Sequence, residues 1–196
     1  DSKKHALLID ITKNIKMSLF KNKDFLLKLI ECLPRLSPDL MKKLFIDTRL
    51  RSIFFWHKND KEIMKALVKC SVYFYAYASK DLQSEYKFFS YVIFKMNDQL
   101  NQTYTPFQDA PKKFCSLKSL AKHASKIDGR SYEFFDESLR SDEEIATLYY
   151  KLSSAGNDVL KNVPQSIKKN PKFINLGISR NLLQVYSTDQ AKRLLR

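Results

Sequence analysis

At 196 residues the chain is long enough for one domain or a compact piece of a repeat array, and 44% hydrophobic residues exclude a disordered segment. Three glycines are too few for a turn-rich β fold or a glycine-lined phosphate loop, so helix is favoured. Lys and Arg outnumber Asp and Glu by 35 to 21, a net charge of +14. That balance suits either a well-solvated surface or an anionic partner.

Cys32, Cys70 and Cys115 show no paired spacing, so neither a disulfide scaffold nor a zinc site is expected. Cys32 and Cys70 sit among apolar residues and read as buried thiols, which suits a reducing, cytoplasmic setting. No apolar run reaches the roughly eighteen residues a membrane helix needs. The first residues, DSKKHALLID, lack a signal-peptide core and do not begin with Met, so a fragment of a longer protein is expected.

In chain order, Leu7, Leu8, Ile11, Ile15 and Leu19 predict an amphipathic helix over 6–20. Asn22 reads as the cap of a second helix carrying Phe25, Leu26, Leu29, Ile30 and Leu33, which Pro34 ends. Ser37-Pro38 opens a third, with Leu40, Met41, Leu44 and Phe45. Arg49 to His57 reads as a short internal helix.

Asn59 to Met96 is the organising stretch. Asn59 with Glu62 predicts a capping box, followed by a stripe of Ile63, Ala66, Leu67 and Cys70. A single helix is predicted over Val72 to Leu82. Ser84 then caps a helix with Phe88, Phe89, Val92, Ile93 and Met96 on a wide apolar face.

The polar run at 101–113, with Pro106 and Pro111, reads as a loop or an insertion between an N-terminal half (1–100) and a C-terminal half (114–196) of one continuous domain. One helix is predicted to carry Phe114, Leu117, Leu120, Ala121 and Ala124 up to the Asp128-Gly129 stop. Residues 130–144 form an acidic island of six carboxylates against two arginines. Ser141 and Glu144 suggest a second capping box ahead of Ile145, Leu148, Tyr149 and Leu152, with Gly156 as the stop. Val159, Leu160, Val163 and Ile167, limited by Pro164, suggest a partner helix. Asn170-Pro171 opens another with Phe173, Ile174 and Ile178. Leu182, Leu183, Val185 and Tyr186 suggest a last partner, and Ala191, Leu194 and Leu195 a further start.

The fold class expected is all-α: short helices stacked as hairpins, repeat-like or an irregular bundle. Short amphipathic helices cannot bury their stripes alone. Five openings look alike, at Asn22, Asn59, Ser84, Ser141 and Asn170, each a capping residue, a charged or proline first turn, then an apolar stripe.

On Asp60, Glu62, Ile63, Ala66, Val68, Ala78, Ser79, Leu82 and Glu85 the sequence resembles the bacterial repeats described as domain of unknown function 4116. Asp142, Glu144, Ile145, Leu160, Val163, Pro164 and Phe173 follow the same order in the second half, and the glycine common in that family is absent near Ser71. The resemblance implies a helical array. Because such repeats occur in secreted effectors of intracellular bacteria, it also implies that setting and the host cytoplasm. It transfers no catalytic residue.

Catalytic motifs are sparse. Cys115 and His123 fall on one predicted helix but two turns apart, about 11 Å along the axis, too far to share a proton. No phosphate loop, HExxH or GxSxG occurs, and no cofactor or metal is expected. The acidic island suits a basic partner or this protein's own basic side. Two basic sets are candidate anion contacts: Lys112, Lys113, Lys118, Lys122 and Lys126, and Lys168, Lys169, Lys172 and Arg180. Each reads equally as the solvated face of an ordinary helix. Two functions remain open. One is a non-catalytic helical module binding a protein partner; the other is a basic domain binding nucleic acid or anionic lipid headgroups.

Overall fold

The computed structural model describes residues 14–32, 51–97, 104–127, 129–152 and 161–179. Among them every regular element is helical, and the protein is all-α. The expected segments at 6–13, 33–50, Gly156, Val159, Leu160 and beyond 179 lie outside the described residues, as do Asp128 and Arg180.

The chain divides into two compact units, Asp1–Ala110 and Pro111–Arg196. In the first, α1 (Lys23–Cys32), α2 (Arg51–His57), α3 (Lys61–Cys70), α4 (Lys80–Gln83) and α5 (Tyr86–Met96) follow in order. In the second come α6 (Lys112–Cys115), α7 (Lys118–Ile127), α8 (Glu137–Arg140), α9 (Glu143–Leu152), α10 (Gln165–Lys168) and α11 (Pro171–Ser179).

The long helices of the first unit run side by side in one direction. At one end Lys23, the first residue of α1, pairs with Asp60 and Glu62 at the start of α3 (2.9 and 2.8 Å). At the other end the Cys70 thiol donates to the Ile30 carbonyl at 3.8 Å. Likewise Lys61 of α3 pairs with Glu85 at the start of α5, and farther along the Tyr91 hydroxyl donates to the Lys65 carbonyl at 3.4 Å.

Parallel neighbours require a return limb. A ten-residue helix is about 15 Å long, and the chain covers that distance backwards from Val72 to Gln83. Here the expected single helix is corrected. Val72–Tyr77 is a 3-10 helix, Ala78 and Ser79 are extended, and only Lys80–Gln83 is α. The 3-10 form rises about 2 Å per residue and eclipses positions three apart. It thus lines up Val72 and Tyr75, both buried, and the extended Ala78 that follows is buried as well. The Tyr75 hydroxyl donates to the Gln83 carbonyl (3.0 Å), and the Gln83 amide donates back to the Tyr75 carbonyl (2.9 Å). The Ser79 amide donates to the Lys58 carbonyl, pinning the limb at the start of α3.

The caps also differ from expectation. Asp60, not Asn59, accepts from the Glu62 and Ile63 amides, because its charge serves both the helix end and Lys23. Ser84 closes α4, and Glu85 opens α5 with its carboxylate turned to Lys61. Asp142, not Ser141, caps α9 through the Glu144 and Ile145 amides. Asn22 and Asn170 do cap α1 and α11, accepting from the Phe25 and Lys172 amides. Part of the run before Pro111 packs inward. Tyr104, Thr105, Pro106 and Phe107 are buried, Phe107 edge-on to Phe89 and Tyr104 edge-on to Tyr73.

Equivalent contacts recur 57 residues apart. Lys61–Glu85 corresponds to Lys118–Asp142, each pair 24 residues apart in sequence. Tyr75 donating to Gln83 corresponds to Tyr132 donating to Arg140. The Ser79-to-Lys58 backbone bond corresponds to Asp136-to-Cys115. Ile63, Met64, Leu67 and Val68 of α3 are buried, as are Leu120, Ala121, Ala124 and Ser125 of α7. Phe88, Phe89, Val92 and Ile93 of α5 match Ile145, Ala146, Tyr149 and Tyr150 of α9. Third, fourth, seventh and eighth positions face inward in all four, the stripe that 3.6 residues per turn dictates. Burying each large apolar side chain contributes about 1.5–3 kcal/mol.

Candidate interaction surface

The first, fifth and ninth positions of each long helix form a line along one edge of that buried stripe. In α3 they are Lys61, Lys65 and Lys69, and in α7 Lys118, Lys122 and Lys126. In both helices this line faces the next parallel helix. Lys61 reaches Glu85, and the Lys65 ammonium lies 5.1 Å over the Tyr91 ring. Lys118 reaches Asp142 at 2.5 Å, and Lys122 reaches Glu144. Lys118 and Lys122, two of the lysines singled out in the sequence, thus lie at a seam between helices, and part of the acidic island supplies their counter-charges.

The electrostatics follow. Partial burial pushes the Asp60 and Asp142 carboxyls up, but hydrogen bonds from Lys23 and Lys118 and from backbone amides outweigh it, leaving both below the usual carboxylate range. The Lys118 ammonium is held above its ordinary value, chiefly by the hydrogen bond to Asp142. Lys23 is raised through Glu62, then Asp60.

The other basic candidates scatter. Lys112 and Lys113 are exposed on the single turn of α6, and the Lys113 ammonium lies 5.1 Å over the Phe114 ring. Lys126 is exposed at the end of α7. Lys168 closes α10, Lys169 follows it, and Lys172 on α11 stands 3.6 Å from Glu143. Glu143 also accepts from the Asn170 side-chain amide at 3.0 Å.

Cys115 and His123 do not share a helix. The chain breaks at Ser116–Leu117, so Cys115 ends α6 and His123 sits in α7. The Cys115 thiol donates to the Pro111 carbonyl at 3.8 Å, and burial, then Asp136, pushes its pKa up. Burial, then Lys126, lowers that of His123. Neither shift favours a thiolate–imidazolium pair. Cys70 is half-buried and its thiol is likewise raised by burial. Among the described residues no group of three or more His, Cys, Asp or Glu could hold a metal ion, and no helix is long and apolar enough to cross a membrane.

No family model, curated protein or solved structure matches the chain.

Sequence reasoning missed the exposed aromatics. Phe55 on α2 is 80% exposed, and on α5 Tyr86 and Phe94 are 51% and 58% exposed. Tyr86, Ser90 and Phe94 occupy the line that is all lysine in α3 and α7. The signal was present: aligning the helix starts puts Phe94 opposite Lys69, Lys126 and Lys151.

Proposed function

We propose that this chain is a non-catalytic helical interaction module, assembled from tandem helical repeats, that binds a protein partner through an exposed helix face. The observation that supports it is the set of large aromatic rings left half or more in water, Phe55 on α2 with Tyr86 and Phe94 on α5. Aromatic side chains supply large contact areas at low entropic cost and are enriched in interfaces. The lysine seams favour this reading over a phosphate track, because Lys118 and Lys122 already face carboxylates of the same unit. The resemblance to bacterial helical repeats extends the proposal to part of a secreted effector, acting in host cytoplasm.

Binding assays decide between the two readings. Mixed nucleic acid and anionic liposomes are titrated at low salt against the wild type and a Lys112→Glu/Lys113→Glu/Lys169→Glu variant. The protein-partner reading expects no salt-dependent binding that those charges control. Tight binding abolished by that variant would replace it with the anion-binding reading.

A further inference from the structure

We infer that Val72–Tyr77 is a latent strand, held as a 3-10 helix by Gln83, and that on opening it pairs edge to edge with the same segment of a second copy of this chain.

The first ground is composition. Val72, Tyr73, Phe74, Tyr75 and Tyr77 are residue types enriched in strands. The segment holds no charge, no Pro and no Gly, and the uncharged run extends from Cys70 to Ser79, closed at its ends by Lys69 and Lys80. A run of six or seven such residues is the composition that stacks into cross-β ladders, and flanking charges guard against it.

The second ground is the form in which the fold holds it. Bonds of a 3-10 helix have poorer geometry than α-helical ones, and runs beyond three or four residues are uncommon. Val72–Tyr77 continues for six residues. Its closure comes from outside the segment: Gln83, only 1% exposed, donates to the Tyr75 and Ala76 carbonyls at 2.9 and 3.2 Å. The second unit shows that such a limb does not require strand-forming residues. Gly129–Phe134 is the equivalent 3-10 helix, and its sequence, GRSYEF, places Arg130 and Glu133 inside it. The one identical residue is the clasping tyrosine, Tyr75 in the first limb and Tyr132 in the second.

The occupant is a second copy, because an in-register ladder sets identical side chains on one another. The net charge of +14 opposes that encounter, so salt is expected to speed it.

The test incubates the full chain in urea below its unfolding midpoint and follows thioflavin T fluorescence and the amide I infrared band. Wild type is expected to form sheet-rich assemblies, faster in salt. Gln83→Ala is expected to speed them about fivefold or more, by raising the opened population. Ala76→Lys, which sets a charge at a half-buried position within the run, is expected to slow them about fivefold or more in both backgrounds. Hydrogen exchange on the wild-type assemblies is expected to protect residues 72–77 and leave 129–134 open, a readout that stands even where Ala76→Lys does not fold. Assemblies without sheet, or none from Gln83→Ala, would overturn the inference. So would protection confined to another segment, such as 88–94, or a rate that a folded Ala76→Lys leaves unchanged. None of these outcomes bears on the protein-partner reading, which the binding assays test separately.

Discussion

Lys118 and Asp142 open two neighbouring helices, and their side chains meet at 2.5 Å, so a single carboxylate both caps α9 and ties it to α7. Asp60 does the same for α3 and α1 through Lys23. Replacing either aspartate removes two functions at once. Asp142→Ala and Asp60→Ala are each expected to cost about 1–2 kcal/mol, most of it from the lost cap, since a part-exposed ion pair adds at most about 1 kcal/mol. Asp→Asn keeps the capping oxygen and should cost clearly less. Urea unfolding of the four variants measures the difference.

The same groups set a pH dependence. Because the Asp60 and Asp142 carboxyls are depressed below 3.8 in the folded protein, their contribution is full above that value. It is lost as pH falls through the folded values. Lys23 and Lys118 are raised above 10.5, so their contribution is full below that value and lost as pH rises through the folded values. Denaturant midpoints measured across pH should therefore fall at both extremes. Asp60→Asn with Asp142→Asn should flatten the acid limb.

Two phenol clasps close the return limbs. Tyr75→Phe and Tyr132→Phe each remove one hydrogen bond to a helix-end carbonyl, Gln83 or Arg140, and each is expected to cost about 0.5–1.5 kcal/mol. Gln83→Ala should cost more than Tyr75→Phe. It removes the buried amide that donates to both the Tyr75 and the Ala76 carbonyls, although Tyr75 keeps its bond from the Ala78 amide. Thermal melts of the three single variants check the order.

Ser125 is fully buried on the inner face of α7, and its hydroxyl has no partner among the described residues. The equivalent position in α3 is Val68. Ser125→Ala removes a desolvated polar group and improves helix propensity, so it is expected to stabilise by about 0.5–1 kcal/mol. A lowered melting temperature would mean that the hydroxyl is satisfied in solution.

Buried Cys115, its thiol raised by burial and donating to Pro111, is expected to resist modification in the native state. A disulfide-exchange reagent at neutral pH should label it much more slowly than the same residue in denaturant. Fast native labelling would show that the site opens.

Much of this architecture is legible residue by residue. The spacing of Ile63, Leu67, Phe88 and Val92 fixes helices and their inner faces, since 3.6 residues per turn leaves no other way to bury them together. Asn22 and Asn170 announce their helices because capping is a local act, completed within three residues. What the tertiary structure decided involves partners distant in sequence. Asp60 displaced Asn59 as the cap because Lys23, from another helix, sits beside it. The lysines at Lys118 and Lys122 became a seam because carboxylates 24 and 22 residues on were brought alongside. Val72–Gln83 broke into 3-10 helix and single turn because the chain had to return along α3 before α5 could start beside it. Tyr86 and Phe94 fall outside the stripe of Phe88, Phe89, Val92, Ile93 and Met96, and it is the packing of α5 that shows how far each stands in water.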